Sequence, residues 1–285
     1  MQEALDWVTS VTGKRVTRTR RLRGGLTSDV RAVTLAGGET LVLRRYTAWG
    51  REAAEPVARE AATLERLVHS SLPAPRLVAA RSEGDVPMLL MTRLPGRVWL
   101  APPDPEPWLA QMARTLAAVH ATPTVATAPV RRPIDPATLT VPDWTTRPEL
   151  WRRVNAVLAT PAETFTPVFV HSDYQHFNML WSRGRLSGLI DWVFAGADHP
   201  DIDTAHCRLN LAVLFSIEHA ERFRLRYEAE SGRKVDPWWD LRGLSGYGQD
   251  WKQFIPVQVA GRVPVDAAGM DDRIEGLMDR ILSRM

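Results

Sequence analysis

The chain has 285 residues, 45% of them apolar, enough for two lobes or two small domains with cores of their own. Its single cysteine, Cys207, excludes an intrachain disulfide and a thiolate-cluster metal site. No apolar run approaches the roughly 18 residues of a membrane span, and the acidic start Met1-Gln2-Glu3-Ala4-Leu5-Asp6 lacks the marks of a signal peptide, so a cytoplasmic location is expected.

The formal net charge of +3 is unevenly spread. Residues 1–97 carry 16 Lys and Arg against 10 Asp and Glu, whereas residues 98–285 carry 20 against 23. A basic first part suits a polyphosphate ligand, and a mildly acidic second part suits a cationic or neutral one. Only Lys14, Lys234 and Lys252 are lysines, so other cationic roles fall to arginine.

In chain order, residues 2–12 read as a short helix. Residues 15–23 alternate apolar and basic side chains like a half-exposed strand, ended by Gly24-Gly25. Residues 30–35 and 41–46 form a hairpin about Gly37-Gly38. Residues 53–69 read as a helix with Leu64, Leu67 and Val68 on its apolar side, ended by Pro73 and Pro75. Two further strands, 76–80 and 88–91, flank the Glu83-Gly84-Asp85 turn. The proline-rich stretch from Leu94 to Pro107 marks a boundary. Beyond it, helices are expected at 106–121, 149–159, 202–217, 218–231 and 271–284. Residues 122–148 read as a long irregular connection or lid. Short strands are expected at 168–170, 179–181 and 186–190. The expected class is α+β: a small antiparallel-sheet lobe with one key helix (residues 1–93), a hinge (94–98) and a larger, mainly helical lobe (99–285).

The chemistry concentrates in one stretch. His171-Ser172-Asp173 is followed by Asn178 and, after a short strand, by Asp191 within Leu189-Ile190-Asp191-Trp192. A histidine two positions before an aspartate, an asparagine five after it and a second strand-end aspartate match the needs of phosphoryl transfer. That reaction needs one carboxylate beside the attacking hydroxyl and oxygen ligands for Mg²⁺. Asp173 is the candidate base. It aligns the hydroxyl and takes its proton as the oxygen–phosphorus bond forms. Asn178 and Asp191 are the candidate metal ligands, being hard oxygen donors. His171 is read as a brace of the loop. Taken singly, each of these residues reads more naturally as a turn or capping group; the spacing of the set carries the argument.

Nucleotide contacts are expected in the first part. Gly24, Gly25, Thr27 and Ser28 form a loop between strands whose backbone N–H groups can approach phosphate oxygens, although an ordinary hairpin turn has the same composition. Arg44 follows Leu41-Val42-Leu43 on a strand, where a kinase places its phosphate-binding lysine, and Glu60 in the next helix is its expected ion-pair partner.

Together these residues resemble the aminoglycoside phosphotransferase family, small-molecule kinases related to choline kinase and more distantly to protein kinases. The resemblance runs from about residue 20 to about residue 215. It includes Arg59-Glu60, the stretch from Leu90 to Gly96, the loop from His171 to Leu180, Ile190-Asp191-Trp192 and Pro200-Asp201-Ile202-Asp203. It implies a bilobal protein-kinase-like fold, ATP or GTP in the cleft with Met91 among its contacts, Mg²⁺, and a small-molecule hydroxyl acceptor that is cationic or neutral. It also implies that Asp203 caps its helix and braces the catalytic loop. The usual loop reads His-Gly-Asp-x-His-Pro-Gly-Asn; here Ser172, Gln175, His176 and Phe177 depart from it, and Arg44 stands at the lysine position.

Three other readings compete. A metal-dependent hydrolase would use His171, Asp173, His176 and one of His199 or His206 on zinc. A nucleotide-binding pseudoenzyme would keep the fold without turnover. Nucleic-acid binding by the basic run 14–23 is opposed by the acidic second part. Neither a nucleic-acid nor a membrane partner is expected, and the chain is expected to be a monomer or homodimer.

Overall fold

The computed structural model of the chain describes residues 1–23, 27–123, 135–259 and 261–285. Two compact units are present. The first is Met1–Arg97 with Leu180–Ser182 and Ser187–Phe194, and the second is Val98–Met179, Arg183–Leu186 and Ala195–Met285.

The first unit begins with α1 (Gln2–Thr12), which ends at Gly13 in the left-handed conformation that glycine adopts without strain. The strands β1 (Val16–Arg21), β2 (Asp29–Leu35) and β3 (Thr40–Arg45) follow, then α2 (Ala54–Leu67), β4 (Leu77–Arg81) and β5 (Met88–Thr92). The five strands form one antiparallel sheet in the order β1-β2-β3-β5-β4. Alternation along β3 and β5 sorts their side chains between two faces. Leu41, Leu43, Met88 and Leu90 pack with Ala4 and Val8 of α1. Val42, Arg44, Leu89 and Met91 therefore face the other way, with Arg44 opposite Leu89 and Val42 opposite Met91 in the register. That face carries α2, whose Glu60 receives Arg44.

In the chain order of the remainder come β6 (Arg97–Val98), α3 (Glu106–His120), α4 (Pro148–Leu158), β7 (Val168–Val170), β8 (Met179–Ser182), β9 (Arg185–Leu189) and β10 (Gly196–Asp198). The helices α5 (Asp201–Leu214), α6 (Ile217–Ser231), α7 (Pro237–Ser245), α8 (Asp250–Val259) and α9 (Met270–Leu282) complete it. In the second unit, α5 lies at the centre, packed against α6, α7 and α9, while α3 packs along α6. All of α5 is buried except His206, so a helix that lacks a single apolar stripe is stabilised by neighbours on every side. β7 and β10 pair antiparallel in the same unit.

The α+β class holds, with the sheet in the first unit and most helix in the second. The helix expected across 202–217 stops at Leu214, and Ser216 starts α6 by accepting a hydrogen bond from the His219 backbone at 3.4 Å. Two helices, α7 and α8, and the three-residue strand β10 had not been expected. In the connection 122–148, residues 124–134 lie outside the described residues; Pro136–Thr138 is a single 3-10 turn. No described helix is long and apolar enough to cross a membrane.

Gly96 illustrates how closely the first unit is packed around its return segments. Its φ is +103°, and an added Cβ would sit 2.6 Å from Ser187 Oγ and 2.7 Å from the Trp181 carbonyl oxygen. Gly37 has a similar φ of +98° with nothing within 4 Å. Gly96→Ala should therefore lower stability by about 1–3 kcal/mol more than Gly37→Ala, as measured by denaturant unfolding.

Candidate functional site

In the first unit a single guanidinium ties three segments together. Arg44 is 7% exposed. Its Nε donates to Ser28 Oγ at 3.1 Å, and its Nη1 donates to Glu60 at 3.2 Å and to Asp191 Oδ1 at 2.5 Å. Its guanidinium carbon also lies 4.6 Å from the centre of the Tyr46 ring. Burial alone would lower the pKa of Arg44, but the adjacent carboxylates of Asp191 and Glu60 outweigh that and raise it. Burial raises the pKa of Glu60, partly offset by Arg44. Tyr46, whose hydroxyl donates to Glu60, is raised by burial and by that carboxylate.

Asp191 sits at φ 69°, a left-handed conformation that costs a non-glycine residue of order 1 kcal/mol and persists where surroundings enforce it. The enforcing contacts lie within the unit. Leu189 N–H donates to the Pro73 carbonyl at 2.8 Å, Trp192 N–H to Glu60 at 3.3 Å, and Arg59 to the Val193 carbonyl at 3.4 Å. Arg45, the neighbour of Arg44, instead reaches Asp29 at 3.4 Å. Ser28 is thus an anchor for Arg44, and the Thr27 carbonyl accepts from Ala48 N–H at 3.1 Å. Met91 is buried on the Arg44 face of the sheet. Gly24 and Gly25 lie outside the described residues.

In the second unit the loop after β7 presents Asp173. Its Oδ1 accepts from Gln175 Nε2 at 2.7 Å and from His206 Nε2 at 2.9 Å, and its Oδ2 from Asn178 Nδ2 at 2.7 Å. Burial would raise the pKa of Asp173, but the hydrogen bond and charge of His206 lead the effects that bring it below the usual value. Asn178 also donates to the Asp173 carbonyl at 2.9 Å. Its amide nitrogen is thereby committed to the loop, and its Oδ1 is the atom that can face a cation.

Asp203 holds the start of this loop. Its two oxygens accept from the backbone N–H groups of His171 and Ser172, each at 2.7 Å, and His120 Nε2 lies 3.2 Å away. Burial would raise the pKa of Asp203; His120 and the loop donors bring it down instead. The expected helix cap is corrected. Pro200, which has no side-chain acceptor, stands at the N-cap of α5, and both Asp203 oxygens accept from the loop. Ser172 adopts φ 64°, the conformation for which the family's usual glycine is suited. His171 Nδ1 accepts from Asp173 N–H at 3.3 Å, inside the same turn.

The zinc reading finds no ligand set. Among the described residues no three His, Cys, Asp or Glu gather as a metal site. His199 stacks on Trp239 at 4.4 Å. His176 is enclosed by Phe177, Trp108 and Phe215, with neither ring nitrogen bonded among the described residues, and burial pushes its pKa down to about 3.

The model of the phosphotransferase enzyme family, APH, matches residues 18–247. The chain belongs to this family. APH membership makes it a small-molecule kinase, a phosphotransferase acting on a hydroxyl acceptor. Solved structures of APH proteins share the fold. Macrolide 2'-phosphotransferase MphH from Brachybacterium faecium is 17% identical over 93% of this chain and 100% of its own, with a TM-score of 0.64. A thermostable mutant of aminoglycoside phosphotransferase APH(4)-Ia, in ternary complex with AMP-PNP and hygromycin B, is 18% identical over 99% and 98%, with a TM-score of 0.65. Aminoglycoside-3'-phosphotransferase of type VIII is 19% identical over 85% and 96%, with a TM-score of 0.59. No curated protein matches the chain significantly.

His206 is the participant that sequence reasoning placed only in the zinc alternative. Its one available signal is its position three residues after Asp203, on the same face of a helix. Asp203→Ala should cost about 2–6 kcal/mol at neutral pH, since it leaves two buried backbone N–H groups unpaired. The depressed pKa of Asp203 makes its stabilisation complete above the unfolded value near 3.9 and lost as pH falls through the lower folded value. Asp203→Asn should accordingly unfold with a shallower acid dependence than the natural chain, as followed by urea titrations between pH 3 and 7.

Proposed function

We propose that this chain transfers the γ-phosphoryl group of ATP or GTP to a hydroxyl of an antibiotic-like or metabolite molecule, with Mg²⁺ as cofactor. The observation that carries the reading is the Asp173 carboxylate, held by three donors at 2.7–2.9 Å on a loop that also positions Asn178. The solved APH(4)-Ia structure with AMP-PNP and hygromycin B supports a nucleotide donor and an aminoglycoside-like acceptor.

Asp173 aligns the acceptor hydroxyl and receives its proton. The acceptor oxygen bonds to the γ-phosphorus as the bond to the β-phosphate bridging oxygen breaks, and the nucleoside diphosphate leaves. A carboxylate with three donors and a lowered pKa is a weak base. Its service is orientation, with proton uptake late in a loose transition state.

The chemistry of the donors fits Mg²⁺. Arg44 offers one positive charge to the two carboxylates of Glu60 and Asp191 and engages only Oδ1 of Asp191 among the described residues. Asp191 Oδ2 and Asn178 Oδ1 are hard oxygens suited to hold the ion, which would neutralise charge on the phosphate oxygens. Arg44 is the proposed phosphate contact in place of lysine, with Glu60 fixing it and Ser28 steadying its Nε. Thr27, Gly24, Gly25 and Met91 are proposed to line the nucleotide.

A coupled nucleotide-consumption screen with ATP and GTP against aminoglycosides, macrolides, nucleosides and amino alcohols tests the reading and identifies the acceptor. No turnover with any member of these classes would count against it. Asp173→Asn should lower kcat at least about 10²-fold with nucleotide binding retained; unchanged turnover would remove the base assignment. Arg44→Ala should weaken AMP-PNP binding by about tenfold or more in calorimetry, and Arg44→Lys by less. An unaltered Kd in Arg44→Ala would end that role.

A further inference from the structure

Helix α5 meets the loop of Asp173 at two points. Asp203 holds the backbone of His171 and Ser172, and His206, three residues on, reaches the Asp173 side chain with Nε2 2.9 Å from Oδ1. Residues at this spacing lie on one helix face. His206 is the only residue of α5 that is not fully buried, so this face opens where the carboxylate lies. Asn210, one turn further, donates to the His206 backbone carbonyl at 3.0 Å. The ring of Trp251 on α8 lies with its centre 6.3 Å from that of His206.

The three donors to Asp173 are not equivalent. Gln175 and Asn178 belong to the same short loop and move with it, so they set the shape of the loop alone. His206 comes from a helix buried on every other side and sets the carboxylate relative to the core of the unit. An ionised carboxylate only accepts, so Nε2 of His206 carries the hydrogen in this contact. Of the other imidazoles near the loop, His171 accepts the Asp173 backbone N–H at Nδ1, and neither ring nitrogen of His176 is bonded among the described residues.

We propose that His206 is a positioning residue that fixes the Asp173 carboxylate against α5, so that an acceptor hydroxyl meets it in one orientation. This rests on the reading of Asp173 as the base. Gln175, which stands where the family's loop has histidine, also donates to Asp173 Oδ1, so the two contacts reach that oxygen from different elements.

The test uses the full chain with Mg²⁺ and ATP, water serving as acceptor. His206→Ala should lower kcat for hydrolysis roughly 10–10²-fold with KM for ATP changed less than about twofold, the split expected when alignment of the nucleophile is lost. His206→Gln, whose Nε2 can offer the same donor, should recover most of the loss. His206→Ala should add nothing in an Asp173→Ala background. Long-range proton–nitrogen spectra of the labelled protein should show His206 protonated at Nε2, with ring signals that shift in Asp173→Asn. Ring signals that ignore Asp173→Asn, whatever the hydrolysis rate, overturn the proposal. So does a kcat unchanged in His206→Ala while Asp173→Ala is inactive; that result leaves the base reading standing. Hydrolysis unchanged in both variants removes the base reading and this proposal with it.

Discussion

The carboxylate of Asp203 is the point on which the second unit's chemistry is organised. An ionised group inside a protein core is strongly unfavourable unless its hydrogen-bonding capacity is met. Here two backbone N–H groups and the His120 ring meet it, and the pKa falls below its usual value despite burial. The two N–H groups belong to the residues immediately before Asp173. Satisfying Asp203 therefore forces the chain into one turn, in which Ser172 adopts a positive φ that it would otherwise avoid. Because α5 is buried almost throughout, the anchor itself cannot drift.

The first unit repeats the principle with the opposite sign at the centre. The guanidinium of Arg44 gathers Glu60 from α2, Asp191 from the returning segment and Ser28 from the residue before β2. A lysine at this position would offer a compact point charge. The guanidinium is planar and longer, and its separate nitrogens let it serve a hydroxyl through Nε while Nη1 serves two carboxylates. The departure from the family's lysine is thus a change of geometry more than of charge.

How much could be read from the sequence follows from how local each signal is. The strands and α2 of the first unit were legible through alternation, the Gly37-Gly38 turn and a continuous apolar stripe. The pairing of Arg44 with Glu60 was legible too, since a strand-end cation and a carboxylate in the next helix are separated by 16 residues. The pairing of Arg44 with Asp191 spans 147 positions and left no local trace. Strand β10 exists only through its pairing with β7. Helix α7 did carry a start signal, Asp236 before Pro237, whose side chain accepts from Trp238 N–H at 2.8 Å. Asp203 entered only through the family resemblance, and the role it took differs from a helix cap because its partners are 31 and 32 residues earlier.

The Asp203 centre also bounds what Asp173, the proposed base, can be. A strong general base would be kept short of donors and raised in pKa; Asp173 is surrounded by donors and lowered. Such a group gains little by abstracting a proton before the reaction begins. It gains by being immobile, because aligning the attacking oxygen removes orientational freedom that an encounter in solution must lose at the transition state. In a loose transition state the nucleophile needs little added charge, and its proton departs only as the new bond to phosphorus closes. The buried anchor at Asp203, the strained turn at Ser172 and the ring of His206 all oppose movement of one carboxylate. That immobility is the property the proposed orienting base requires.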